Sequence, residues 1–264
     1  MTINRNTNEI SSNKIFLSAL IITYNEEHNI KNILNDLDFA DEIIVVDSFS
    51  TDKTVVIATT HKNVKVVQHD FENFAAQRNH AISLANHSWI LFLDADERLT
   101  AELKKEILKT IHQKEAAVAY YCCRTFMFKN TKLQFSGWQT DKIIRLFNKE
   151  KAQYDLAKIV HEKLTVNGKT GKLKNRLIHY SYRSYSDYKQ KMNTYGKLKA
   201  IEEFNKGTKP TFFHLYIRPI YQFLYQYIMR MGILDGKKGI IICYLNSYSV
   251  FVRFQELKKI RLNN

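Results

Sequence analysis

"WILFLDADERLT" occupies residues 89–100, and its reading decides the fold. Five residues suited to a buried strand, Trp89 to Leu93, lead into Asp94 and Asp96, two carboxylates two positions apart at the expected strand exit. Such a pair repels and costs desolvation unless a cation or hydrogen-bond donors compensate it. Two readings stay open on these residues alone. The acids are solvated and cap a helix from Thr100 to about Gln113, or they hold a hard divalent cation, Mg2+ or Mn2+, that grips a diphosphate.

Outward from this stretch the chain alternates strand and helix patterns. "IFLSALIIT" (15–23) is a continuous apolar run, as expected of a strand covered on both faces. Helical spacing follows at Ile30, Ile33, Leu34 and Leu37. "EIIVVD" (42–47) and "VKVVQ" (64–68) read as strands, with a helix between them capped by Ser50 or Thr51. "ENFAAQRNHAISLANH" reads as a third helix before the strand at Trp89. Repeated β-α units of this length predict a parallel, doubly wound α/β sheet, in which ligands bind outside the carboxyl ends of the strands. Tyr24, Asn25, Asp47, Asp94 and Asp96 all fall at those ends.

Beyond residue 115 the pattern changes. "AAVAYYCCRTFMF" and "KIIRLFN" read as strands, the segment through "KIVHEKLTVNGKTGKLKNRLIHY" reads as loop-rich, and a helix is predicted after Ser184, with Asp187 in its first turn and Gly207 past its end. Three cysteines, Cys122, Cys123 and Cys243, form no disulfide or metal pattern and fit a reducing compartment. The polar N-terminus carries no secretory signal pattern. Acidic and basic residues nearly balance over residues 1–150, whereas residues 151–264 hold 22 Lys+Arg against 7 Asp+Glu. A half so basic is suited to polyanions: nucleic acid, anionic lipid or a phosphorylated acceptor.

Taken in order, "LIITYNEEHNI", "IIVVDSFSTDKTV", "FAAQRNHAI" and "WILFLDADERL" resemble the nucleotide-sugar domain of family 2 glycosyltransferases, which have the GT-A fold. "GWQTDKIIRLF", "VHEKL", "LIHYSYRS" and "RMGILDGKKGI" resemble the bacterial subgroup that adds sugars to the lipopolysaccharide inner core. The resemblance implies a GT-A domain over 15–180, with a donor half at 15–115 and an acceptor half at 116–180, then a helical, basic extension at 181–264. It further implies that Thr23, Tyr24, Asn25 and Glu26 line the nucleotide pocket, with the Tyr24 ring near the base, and that Asp47 accepts from the base. Arg78 would face a phosphate, supported by Asn79. Asp94 would lie by the ribose and metal, and Asp96 would be the principal metal ligand. Glu162 is the implied general base, with Asp141 its rival and His161 an orienting neighbour. Arg145 is balanced between a phosphate contact and a strand salt bridge, and Trp138 between sugar stacking and core.

A metal suits this chemistry because it stabilises the departing diphosphate as a Lewis acid, while a carboxylate takes the proton of the attacking hydroxyl. The expected function is an inverting transfer from a nucleoside diphosphate sugar, with uridine the expected nucleoside, to a lipopolysaccharide-core, lipid-linked or saccharide hydroxyl. Three rivals are weaker. A haloacid-dehalogenase-type phosphatase wants Thr or Val where Arg98 stands. A nucleotidyltransferase wants a Gly-rich phosphate loop, and "TYNEEHNI" has no glycine. A nucleic-acid binder would explain the basic half, yet no recognition motif accompanies it, so no nucleic-acid partner is expected. Residues 211–229, "TFFHLYIRPIYQFLYQYIM", mix aromatic, aliphatic and basic residues, and they predict a segment lying on an anionic membrane surface, at the inner face of the cell membrane in a cytoplasmic protein.

Overall fold

The structure, a computed structural model, describes residues 15–113, 117–129, 131–138, 141–156, 163–182 and 184–263. The chain folds into two compact units. The first is drawn from Met1–Asp94, Ile107–Tyr120 and Arg145–Gly171, the second from Ala95–Glu106, Tyr121–Ile144 and Lys172–Asn264.

The first unit is the predicted β-α series. Its strands are β1 (Leu17–Thr23), β2 (Glu42–Asp47), β3 (Val64–Gln68) and β4 (Trp89–Asp94), in the order β3-β2-β1-β4 and all parallel. Helices α1 (Ile30–Asp36), α2 (Thr54–Thr59) and α3 (Phe74–Leu84) are the crossovers. Leu17, Ala19, Leu20 and Ile21 of β1 and Ile90 to Leu93 of β4 have no exposed surface, so both faces are covered, as their uninterrupted apolar runs require. Each such aliphatic side chain contributes about 1.5–3 kcal/mol of transfer free energy. The β3 edge is only half-buried and carries Lys65 outward, a charge that discourages further strand pairing. A later strand, Lys142–Asn148, pairs antiparallel with β4 (Leu91 opposite Leu146), making the sheet mixed.

The second unit contains β5 (Glu97–Arg98), β6 (Ala119–Phe128), β7 (Thr131–Leu133) and, counting Lys142–Asn148 as β8, Ala152–Tyr154 as β9 and Leu164–Val166 as β10 in chain order, the long β11 (Thr170–Tyr182). The β9–β10 hairpin itself lies in the first unit. β11 corrects the loop-rich expectation for this segment. Leu173, Leu177 and His179 are buried while Lys172, Lys174, Arg176 and Tyr180 are turned outward, the period-two alternation of a one-sided strand.

Three helices complete this unit. α4 (Ala101–Ile111) precedes them in the chain, and the three are α5 (Tyr185–Asn205), α6 (Arg218–Leu224) and α7 (Gly236–Leu262). Ser184 caps α5 as predicted, its side chain accepting from the Asp187 N–H at 3.0 Å, and Gly207 beyond the end takes φ +77°. α5 and α7 pack closely at Gly196, where a Cβ would sit 2.8 Å from the Ser249 carbonyl oxygen. α6 is flanked by π-helical turns at Phe213–Ile217 and Tyr225–Met229, and Pro219 sits in its first turn, where a missing N–H is tolerated.

Along these turns Phe212, Phe213, Tyr216, Ile217, Ile220, Tyr221, Leu224, Tyr225, Ile228 and Met229 are all exposed. They fall in pairs every four residues, a spacing that would spiral around an α-helix of about 3.6 residues per turn. The wider π turns raise the average and keep the pairs in one stripe. The motif "RMGILDGKKG" makes the turn into α7. Asp235 accepts from the Gln134 and Phe135 N–H groups, both at 3.0 Å, and Gly239 has no room for a side chain, since a Cβ would lie 1.9 Å from the Gly232 oxygen.

Candidate functional site

The carboxyl ends of β1 and β2 are laced together by short side chains. Thr23 donates to Asp47 Oδ1 at 3.0 Å, and Ser50 donates to the same oxygen through Oγ (2.5 Å) and to Oδ2 through its N–H (2.8 Å). Asp47 is completely buried, so its carboxylate organises the turn after β2. Asn25 takes φ +55°, a left-handed conformation that Asn tolerates, and its side chain accepts from the Thr51 N–H at 2.8 Å. The Asn25 and Glu26 N–H groups donate to Ser50 Oγ (2.8 Å) and Thr54 Oγ1 (2.7 Å). The backbone of "TYNEE" is thereby fixed while the Tyr24 ring is left 60% exposed.

Exposed aromatic rings that sequence reasoning missed stand after the next two strands: Phe49 after β2, and Phe71 and Phe74 after β3. The last two meet edge to face at 5.0 Å. One cue was present in the sequence, since large apolar residues in otherwise polar turns have no core to join.

At the end of β4, Asp94 meets two guanidinium groups. Arg78 of α3 donates to Oδ1 at 2.8 Å, and Arg145 of β8 donates to Oδ2 in a short charge-assisted bond. Arg145 is fully buried and Arg78 nearly so, and Arg78 also lies over the Phe92 ring at 4.8 Å. Of the two roles weighed for Arg145, the structure displays the salt bridge. Asn79 pairs its side-chain amide both ways with the Tyr154 backbone, at 2.9 and 3.0 Å, and so ties α3 to β9. His69 and His80 stack at 3.8 Å, and burial, with the His69 charge adding to it, pushes the His80 pKa down.

In the second unit, Asp96 Oδ2 lies 3.1 Å from His179 Nε2 of β11, and the Asp96 carbonyl accepts from the Tyr180 N–H at 2.9 Å. His179 is held between this carboxylate and the Phe126 ring, 5.0 Å away. It was missed as a site residue although "LIHYSYRS" contains it, because the strand placing it on the buried face went unread. Asp141 Oδ2 accepts from Arg124 Nε at 2.6 Å, and Arg124 also reaches the buried Glu97 at 3.5 Å. Trp138 packs on Phe126 at 4.1 Å, against the buried cluster of Phe126, Phe128, Leu133, Tyr188 and Ile242, which is the core reading of that residue. Glu162 and His161 lie outside the described residues.

No group of three or more His, Cys, Asp or Glu side chains converges as a metal cage among the described residues. Asp96 and His179 do present an oxygen and a nitrogen toward one another. The Asp96 carboxylate is a ligand of the hard oxygen type that Mg2+ and Mn2+ take, whereas the His179 imidazole beside it is its hydrogen-bond partner and not a ligand Mg2+ favours.

A mostly parallel β-α sheet whose strand ends carry a fixed polar loop and exposed rings is the architecture of an α/β enzyme that takes its ligand outside the carboxyl ends of the strands. The glycosyl transferase family 2 model matches residues 18–165, and this chain belongs to that family. A glycosyltransferase of Rickettsia typhi is 30% identical over 259 residues, covering 94% of this chain and 88% of that protein. The lipopolysaccharide core biosynthesis glycosyltransferase LpsC of Rhizobium meliloti is 25% identical over 252 residues, covering 91% and 93%. Among solved structures, S. aureus TarS 1–349 in complex with UDP aligns with 95% of this chain and 92% of its own at 16% identity and a TM-score of 0.48.

Proposed function

We propose that this glycosyltransferase moves a sugar, with inversion, from a nucleoside diphosphate donor (a uridine diphosphate sugar by the family resemblance) to a hydroxyl of a lipopolysaccharide-core or other lipid-linked saccharide. The observation that carries the donor reading is the fixed loop Thr23–Glu26, bound through its backbone to Ser50 and Thr54 with the Tyr24 ring left outside. Such a ring offers a stacking face to a base without loss of backbone order. Asp47 holds that loop pair and stays the proposed partner of the base. Arg78, held together with the fully buried Arg145 on Asp94, is the proposed contact at the β4 end for the diphosphate.

Asp96, with His179 beside it, is proposed to hold Mg2+ or Mn2+, and Asp94 to lie next to the metal and ribose. A bound divalent cation supplies Lewis-acid stabilisation of the departing phosphate. Glu162 is the proposed general base, deprotonating the acceptor hydroxyl as it attacks opposite the leaving group. Asp141 remains its alternative, although its Oδ2 is already occupied by Arg124. The acceptor class rests on the kinship with LpsC and on the basic C-terminal half.

The enzyme is further proposed to work on the anionic inner face of the cell membrane. The exposed stripe from Phe212 to Met229 fits a lipid interface, and exposed Lys206, Lys209 and Lys237 flank it with the complementary charge. No helix among the described residues is long and apolar enough to cross a membrane. Donor hydrolysis over a panel of nucleotide sugars, with and without chelator, tests the reaction. One donor should be hydrolysed, its turnover lost in chelator and in Asp96→Asn. Turnover unchanged by both would remove the metal from the reading, and hydrolysis of no nucleotide sugar would remove the donor class.

A further inference from the structure

One end of the α5–α7 bundle carries three cations that nothing in the proposed reaction uses. Lys199 of α5, Arg218 of α6 and Arg253 of α7 are each half-buried. Arg218 and Arg253 stand over the ring of Phe254, with Cζ at 5.1 and 5.8 Å from its centroid. Phe254 itself is fully buried. None of the three cations makes a hydrogen bond or ion pair with a described residue, and Arg253 Nε is buried without any partner. Glu202 and Glu203 are near enough to be felt, but the Glu203 carboxylate is turned to Thr208 Oγ1 at 2.7 Å. Burial lowers the pKa of Lys199, and the Arg253 charge lowers it further; burial and then Arg218 do the same to Arg253.

Three partly desolvated like charges that repel one another cost stability, and such an arrangement persists where an anion compensates it. Arg218 and Arg253 share the Phe254 ring, and Arg253 is within electrostatic reach of both Arg218 and Lys199, so two guanidinium forks and an ammonium group from three helices are available to the oxygens of a phosphate. We propose that Lys199, Arg218 and Arg253 form a phosphate-binding site, distinct from the donor site, floored by Phe254. Two sources offer this group: a phosphomonoester lipid headgroup or a free phosphate. Arg218 directly follows Ile217 of the exposed apolar stripe, which favours the lipid. That choice of source alone rests on the membrane reading above; the site itself does not.

Thermal melts of the full chain in phosphate-free buffer, then with inorganic phosphate, test the site. Flotation with phosphatidylcholine vesicles doped with phosphatidic acid, or with phosphatidylserine at matched charge, tests the source. Wild type should be stabilised by phosphate or should prefer phosphatidic acid over phosphatidylserine. Arg253→Gln and Lys199→Gln should each weaken that response on the order of tenfold while melting higher than wild type without ligand. Should Arg253→Gln fail to fold, Lys199→Gln, a half-exposed side chain, carries the test. Response to inorganic phosphate alone assigns a soluble source, and response to phosphatidic acid vesicles assigns the lipid. A wild type indifferent to both overturns the site, as do variants that respond as wild type does. Loss of vesicle binding with an intact phosphate shift would count against the membrane reading only.

Discussion

Asp94→Asn isolates the charge at the end of β4. Asparagine keeps the shape of the side chain but leaves Arg145, with no exposed surface, and Arg78, 6% exposed, without the carboxylate they share. Breaking a buried ion pair by removing one partner costs about 3–5 kcal/mol. The Asp94 side chain is 29% exposed, and water entering there moderates the loss, so the lower figure of about 3 kcal/mol applies. For a chain of this size that corresponds to a fall in Tm of about 6–12 °C. Urea titration on a Trp138→Phe background would read it, because Trp89 then remains as the only tryptophan and opens the same strand. The control is Asp94→Leu combined with Arg145→Met, which removes the Asp94–Arg145 pair, leaves only Arg78 charged and should recover part of the loss. Asp94→Asn within about 0.5 kcal/mol of wild type, or a double variant no better than the sum of its singles, would refute the argument that this carboxylate is held by its arginines.

Glu162→Gln should lower turnover by about 10²–10⁴-fold with donor binding retained; if it is active and Asp141→Asn is not, the base is Asp141. Ser184→Ala should destabilise α5 by about 1 kcal/mol, and Ser184→Asp should restore it, read by urea denaturation. Because the folded His80 pKa lies below the unfolded value near 6.5, its contribution to stability is complete above that pH and is lost as pH falls through it; His80→Gln should flatten the stability profile in this window. Ile220→Asp with Tyr221→Asp should release the full chain from anionic vesicles while leaving donor hydrolysis in solution unchanged, and vesicle binding equal to wild type would dismiss the stripe as the contact.

The donor half was legible because its signals are local and strong. Glu42–Asp47 and Val64–Gln68 form strands over the very residues whose apolar runs and polar ends mark them. α1 begins at Ile30, after a turn whose N–H groups go to Ser50, Thr54 and Asp52 of a loop distant in sequence. β11 escaped notice because lysine and arginine side chains on its outward face dilute the strand composition that Leu173 and Leu177 mark. With β11 unread, the meeting of His179 and Asp96 could not be foreseen, since 83 residues separate them. Both arginines of the Asp94 clamp were visible as residues, but their shared target depended on which strand lies beside β4.

The alternation of π and α turns between Phe213 and Met229 makes this helix sensitive to its residue count in a way that composition would not reveal. A π turn holds one residue more than the α turn it replaces, so deleting a single residue such as Gln226 would let the backbone relax to an ordinary helix. Everything beyond would then stay nearly in phase, because the π turn that is lost and the α turn that replaces it each close about one revolution. Ile228 and Met229 would stay in the stripe, and Arg230 would keep its direction toward the Gly137 carbonyl, now 3.4 Å away. A single deletion within Tyr225–Met229 should therefore be tolerated far better than one within Arg218–Leu224, which would turn everything beyond it by about 100°.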